Sequence, residues 1–347
     1  MSTVESPSTA PPEAAAAQLL FQVASGYMAS AALQVAMRLG IAERLVDGPK
    51  AVDELAASAG VLSDFLYRVL RALSSLGIFA ETSPRTFALT PAAQLLRKGP
   101  GLLGDGIEFI TDPLHFQAYG EMLYSVQTGQ PAGEKVVGMP LFQYLAKHPE
   151  WSASFNNAMT AFSANVMPAV LKAYDFSGID VLVDVAGGHG HVLTSVLRAY
   201  PAMRGVLSDV DHVIAGAGPL LAAAGVGDRC RTETIDFFKA VPAGGDAYIM
   251  KHIIHDWDDD RAVTILSNIR TALGASKTGR LLLLEAVIAA GDVPDFGKLL
   301  DLEMMLMPGG RERTADEFAA LFKRAGFALT RVVPTESMLS VIEGRPL

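Results

Sequence analysis

The feature that most restricts the fold is a change of hydrophobic period near Asp180. From there, short apolar runs at 181–185 (VLVDV), 204–209 (RGVLSD), 231–236 (RTETID), 246–250 (DAYIM) and 280–288 (RLLLLEAVI) alternate with helical patterns over 191–199, 211–223 and 260–273. Strands separated by helices pair in parallel through right-handed crossovers. Thr314-Ala-Asp-Glu317 forms a capping box that opens a helix reaching Ala325. Residues 327–333 and 337–343 read as an antiparallel pair at the end of the sheet. The predicted second domain, 178–347, is therefore α/β and Rossmann-like.

The first hundred residues have a helical period with a hairpin. Ala51–Ala59 reads as a helix that turns at Gly60. Ser63 is expected to cap a second helix, with Leu66, Val69, Leu70, Leu73 and Leu76 at helical spacing. Residues 78–80 and 86–90 read as strands around Ser83-Pro84-Arg85, and Thr90-Pro91 starts another helix. This is a winged-helix pattern over 14–105. Residues 1–13 read as a disordered tail, and 106–177 as a helical linker contributing to the substrate pocket.

A winged helix can bind DNA, but the second helix offers only Arg68 and Arg71, and the chain carries a net charge of −9. Phosphate binding needs clustered cations, so a dimerisation module is the expected role, with no nucleic-acid partner. Residues 14–37 hold no charge and are long enough to span a bilayer. Gln18, Gln22, Ser25, Ser30 and Gln34 interrupt them, so one or two buried helices packed on a partner subunit are expected instead. The single Cys230 cannot form an internal disulfide, and the N-terminus lacks the basic, apolar pattern of a signal peptide. A cytoplasmic location is expected.

The loop Asp184-Val-Ala-Gly187-Gly188-His-Gly190 lies between strand and helix, where glycines let backbone approach a ligand. A dinucleotide fingerprint would need a small residue where Leu193 stands. S-adenosylmethionine has no pyrophosphate, and Asp209, at the end of the next strand, could accept from its ribose hydroxyls. NAD would use the same acid, so Asp209 does not decide between them. His255 follows the fourth strand, and histidine titrates where it can take a proton from a phenol. Glu285 in an apolar run and Glu312 in Pro308-Gly-Gly-Arg-Glu-Arg-Thr are candidate partners for its far ring nitrogen. No Cys/His cluster has zinc spacing, and no metal is expected.

With these pieces in place (DVAGGHG, GVLSDVDHVI, MKHIIHDWDDD, LLLLEAVI and LMPGGRERTADEF), the chain resembles the S-adenosylmethionine-dependent small-molecule O-methyltransferases of plant and actinobacterial type, the caffeate/flavonoid O-methyltransferase-like family. The resemblance implies His255 as general base and Glu285 and Glu312 as its flanking acids. It implies a cofactor site of Gly187, Gly188, Asp209, Asp236, Phe237, Lys251 and Met159. Asp256, Met304 and Met307, with Phe155 and Phe162 from the helical segment, are the residues expected at the acceptor. It also implies a homodimer through the N-terminal domain and a small aromatic substrate with a phenolic hydroxyl. Many relatives have glycine at Ala186, a minor departure. Met307 replaces a polar residue that some plant members use, which argues against phenylpropanoid substrates. Two alternatives stand beside this reading: a relative performing N-methylation, hydroxylation or decarboxylation, and a winged-helix regulator.

Overall fold

The computed structural model describes residues 12–99 and 101–347. The tail expected over 1–13 lies outside them, apart from Pro12 and Glu13, which already belong to the first helix. The chain divides into two compact units, one ending at Asp112 and one beginning at Pro113. The segment expected as a single helical linker is thus divided: Gly104–Ile110 falls in the first unit and the helices from Pro113 to Ala173 in the second.

In the first unit, residues 14–37 form part of one helix, Pro12–Arg38. Within the single chain most of them are uncovered: Leu20 is 71% and Phe21 76% exposed, and only the end of the helix, at Ala36 and Met37, enters the core. This helix is long and apolar enough to cross a membrane by length and composition. Helices Val52–Ala59 and Ser63–Ser75 follow, the second burying Leu66, Leu70 and Leu73 one turn apart. Leu76, expected on the same stripe, is exposed at the helix end. Ser63 is the first helical residue rather than the cap, and its hydroxyl donates to the Asp53 carboxylate. Strands β1 (Lys50–Ala51), β2 (Phe79–Ser83) and β3 (Thr86–Leu89) form an antiparallel sheet in the order β1-β3-β2. Two residues carry no readable period, so β1 was not foreseen. Thr90 caps the helix Pro91–Leu95, accepting from the Ala93 amide at 3.1 Å.

The second unit is built on a seven-stranded sheet. Its strands are β4 (Val181–Val185), β5 (Arg204–Asp209), β6 (Cys230–Thr234), β7 (Ala247–Lys251), β8 (Arg280–Glu285), β9 (Phe327–Pro334) and β10 (Ser340–Pro346). They lie in the order β6-β5-β4-β7-β8-β10-β9. β4 to β8 are parallel, while β10 runs antiparallel to both β8 and β9. The last two strands therefore do pair antiparallel, with the later one inside.

Helices cover both faces, so the central strands read as continuous apolar runs. Along β8, Leu282 and Leu284 join the core under His191–Ala199, while Leu281 and Leu283 join the core under Asp259–Ala272 and Ala315–Arg324. Each such leucine contributes roughly 1.5–3 kcal/mol by leaving water. The Thr314–Glu317 capping box forms in both directions. The helical pattern over 211–223 breaks at Gly216 into Asp211–Ile214 and Ala217–Ala223. The parallel strands bring the carboxyl ends of β4, β5, β7 and β8 to one edge, where the candidate site lies.

Candidate active site

A cavity of about 400 Å³ opens at this edge. Its floor is the turn after β4. Ala186 and Gly188 both adopt left-handed backbone, φ 55° and 58°, and a β-carbon on Gly188 would meet nothing within 4 Å. Gly187 is tighter: a β-carbon there would stand 2.6 Å from the Asp184 carboxylate and 2.5 Å from Leu207. Alanine at 186 therefore carries backbone strain of about 1–2 kcal/mol that glycine would not, more than a minor departure.

Asp209 closes the turn, accepting from the Gly188 amide at 2.8 Å and the Val210 amide at 2.7 Å. Burial raises its pKa, as it does for Asp184, whose carboxyl is pushed up to about 7 and whose Oδ2 has no hydrogen-bond partner among the described residues. Phe237 and Asp236 line the far wall, and Lys251 and His252 the near one. The Lys251 ammonium, buried, is pushed down to about 8. Helices Leu141–Lys147 and Pro149–Ala173 supply Phe142, Phe155 and Met159. Phe142 lies over Trp257 at 5.4 Å and 25°, with Phe237 and Phe238 edge-on to the same indole.

Beside the cavity is a buried polar cluster on the turn Ile254–Asp256. His255 Nδ1 lies 2.6 Å from Glu312 Oε1 and 3.5 Å from Glu285 Oε2. Glu285, fully buried, accepts from the Ile253 and Ile254 amides at 3.1 and 2.9 Å, so it fixes the turn that carries the histidine. Burial raises Glu285, and burial with the Asp301 charge pushes Glu312 up to about 8. Asp301 in turn accepts from the Glu312 amide at 2.7 Å. On the other side, His255 Nε2 lies 3.6 Å from Asp256 Oδ1. Asp256 and His252 line the cavity; His255 sits immediately behind them, its ring 4.8 Å from that of His252.

Nine of the fifteen expected site residues line the cavity: Gly187, Gly188, Asp209, Asp236, Phe237, Lys251, Met159, Phe155 and Asp256. His255, Glu285 and Glu312 form the adjoining cluster. Three are elsewhere. Met307 is buried with Leu114, Ala118 and Ala132. Met304 is buried, its carbonyl holding the Gly309 and Gly310 amides at 2.9 and 3.1 Å. Phe162 is half-buried and does not line the cavity. Helical residues on the same element point different ways, so spacing alone could not select among them.

Reading the sequence missed four contributors. Asp184 is a charge inside an otherwise apolar run, which could have signalled a buried role. Arg313 is 1% exposed and donates to the Ile254 and Trp257 carbonyls at 3.1 and 2.9 Å and to Asp259 at 2.8 Å, tying the turn to the 308–313 loop. Phe142 had no signal beyond being aromatic. His252 had none at all, because its importance lies in a backbone angle.

Among the described residues, four carboxylates lining the cavity (Asp184, Asp209, Asp236 and Asp256) face a single lysine. That lining suits a cationic, phosphate-free cofactor and opposes a pyrophosphate. Asp209 and the glycine turn would hold a ribose and its attached chain, Phe237 an adenine face, and Asp184 a cationic group.

Comparison with known proteins gives a consistent picture. The family description "O-methyltransferase domain" matches residues 119–328, and "O-methyltransferase dimerisation domain" matches 21–99. The chain is 46% identical over 335 residues to a phenazine O-methyltransferase of Lysobacter antibioticus, covering 95% of this chain and 96% of that one. It is 35% identical to an 8-amino-8-demethylriboflavin N,N-dimethyltransferase of Streptomyces davaonensis, covering 96% of each. A crystal structure of a methyltransferase in calicheamicin biosynthesis, in an SAH-bound form, superposes with a TM-score of 0.83 at 34% identity, covering 97% of this chain and all of that one.

Proposed function

Because the chain belongs to the O-methyltransferase family with its N-terminal dimerisation domain, we propose that it methylates a phenolic hydroxyl of a small aromatic metabolite with His255 as general base. It is an S-adenosylmethionine-dependent O-methyltransferase. The observation that carries the finer reading is the 2.6 Å contact between His255 and Glu312, buried beside an acid-lined cavity.

The cofactor supplies a methyl group on a sulfonium, already activated for transfer. The chain's task is to hold the acceptor and take its proton. Burial favours a proton on Glu312 up to about pH 8; once it is ionised, in mildly alkaline solution, Nδ1 of His255 donates to it and Nε2 keeps a lone pair on the side of Asp256. Nε2 accepts the acceptor's proton. The resulting imidazolium is neutralised by Glu312 and Glu285, so the charge never stands alone in a buried place. Such a base contributes about 10²- to 10⁴-fold. The aromatic wall of Phe142, Phe155 and Trp257 suits a flat ring. The named activity of the phenazine O-methyltransferase relative makes a hydroxyphenazine the first acceptor to try.

The chemistry proposed for the site is metal-free. His255, Glu285 and Glu312 bring ligand-type atoms within 4.8 Å of one another. A tetrahedral zinc at its usual bond lengths would hold its ligand atoms roughly 3.3 Å apart, and the 2.6 Å between Nδ1 and Oε1 is a hydrogen bond instead. Dimerisation through the exposed apolar helix Pro12–Arg38 would cover Leu20 and Phe21. Arg68 and Arg71 lie over Phe65 and Tyr67 within their own helix, which supports a non-DNA role for it. A cytoplasmic setting completes the proposal.

The test is a methyl-transfer screen with methyl-labelled S-adenosylmethionine against hydroxyphenazines, naphthols, simple phenols and aromatic amines, with and without EDTA. Label transfer to a phenol, insensitive to EDTA, is expected. Transfer to amines alone, or loss of activity in EDTA, would overturn it.

A further inference from the structure

His252 is not a spare member of the turn. It has left-handed backbone, φ 54°, which a non-glycine residue rarely adopts. Its amide donates to the Leu284 carbonyl at 3.2 Å, so β7 continues its pairing with β8 through this residue while the backbone turns. The imidazole is pinned from two sides. Nδ1 lies 3.1 Å from the Lys251 ammonium, and the ring lies parallel to that of His255, centroids 4.8 Å apart at 9°.

An ammonium has only donors, so Nδ1 of His252 accepts and the neutral ring carries its hydrogen on Nε2. Among the described residues, Nε2 is buried without a partner. The left-handed backbone costs about 1–2 kcal/mol. The fold keeps it, which indicates that the position of this ring is worth more than its local comfort. Burial, Lys251 and His255 all push its pKa well below the usual histidine value, so it stays uncharged beside a partner that gains a charge.

We propose that His252 is a positioning residue for His255: a flat neutral plate that holds the base with Nδ1 on Glu312 and Nε2 turned towards the cavity. The proposal rests on the reading of His255 as the base, but its claim concerns ring orientation and is tested without turnover. The groups facing the pair are Lys251 and Asp256 on the same turn, Glu285 from β8, Glu312 from the 308–313 loop and Asp184 from β4.

Two variants separate the plate from the nitrogens. His252→Asn removes the ring and tolerates left-handed backbone. His252→Phe keeps a flat ring without nitrogens. The full-length protein, labelled with ¹⁵N-histidine, is observed by NMR, the His255 ring being assigned by its disappearance in His255→Gln. The wild type and His252→Phe should show one His255 tautomer with a strongly deshielded Nδ1 proton. His252→Asn should lose that proton signal while its melting temperature shows it folded. Persistence of the signal in His252→Asn, its loss in both variants, or its absence from the wild type would overturn the proposal. Whether His255 is the base is decided separately, by its own turnover measurement.

Discussion

Gly310 faces the carbonyl oxygen of His255 so closely that a β-carbon on it would stand 2.0 Å from that atom. The next amide, Arg311, donates to the same oxygen at 2.8 Å. The glycine is therefore what lets the loop carrying Glu312 dock on the turn carrying the base. Gly310→Ala meets main-chain atoms that cannot yield. It should reduce methyl transfer by about 10²-fold or more, through displacement of Glu312 by an ångström or so, while cofactor affinity changes little. Calorimetry alongside the rate assay checks this; an unimpaired rate would mean the docking is dispensable.

Arg313 holds the same junction by side chain. Its guanidinium satisfies the Ile254 and Trp257 carbonyls and pairs with Asp259, at 1% exposure. Arg313→Ala leaves buried acceptors unmade, at about 3 kcal/mol or more in total. Urea unfolding of the two proteins measures it, and a difference under about 1 kcal/mol would contradict the assignment.

Asp184 makes a pH prediction. Its ordinary value is 3.8, and burial pushes it up to about 7. The native state therefore binds the proton more tightly than the unfolded chain between those values. Stability falls as pH rises through that window, by at most about 4 kcal/mol from this group. Asp184→Asn is neutral throughout and should flatten the fall between about pH 4 and 7. Parallel melting-temperature curves for the two ligand-free proteins would show that Asp184 is already ionised in the fold.

Asp209 bridges the Gly188 and Val210 amides at the cavity wall. Asp209→Ala should weaken S-adenosylmethionine binding by about 10- to 100-fold, the worth of hydrogen bonds to a charged acceptor. Unchanged affinity by calorimetry would move the ribose site elsewhere.

The sheet was legible because its signals are local. Leu281 to Leu284 alternate between two cores, so β8 had to be an uninterrupted apolar run, and Thr314 and Glu317 announce their helix within four residues. Of the His255 cluster, Glu285 was legible as a charge where only apolar residues belong, while the roles of His255 and Glu312 came from the family resemblance of the segments that carry them. What stayed hidden depends on relations between distant segments. Met304 and Met307 share a helix end, and both are buried without lining the cavity, Met307 in the core with Leu114, which no spacing rule reveals. What covers the helix carrying Leu20 and Phe21 was hidden too, since an uncharged helix reads as buried whether it is covered by its own chain or by another.

The most direct test of the account is His255→Gln, assayed for methyl transfer to the acceptor found in the screen and, separately, for S-adenosylmethionine affinity. The account predicts a kcat lower by about 10²- to 10⁴-fold, with cofactor Kd within about threefold of wild type. A near-normal kcat, or a collapse of cofactor binding that explains the lost rate, would contradict it.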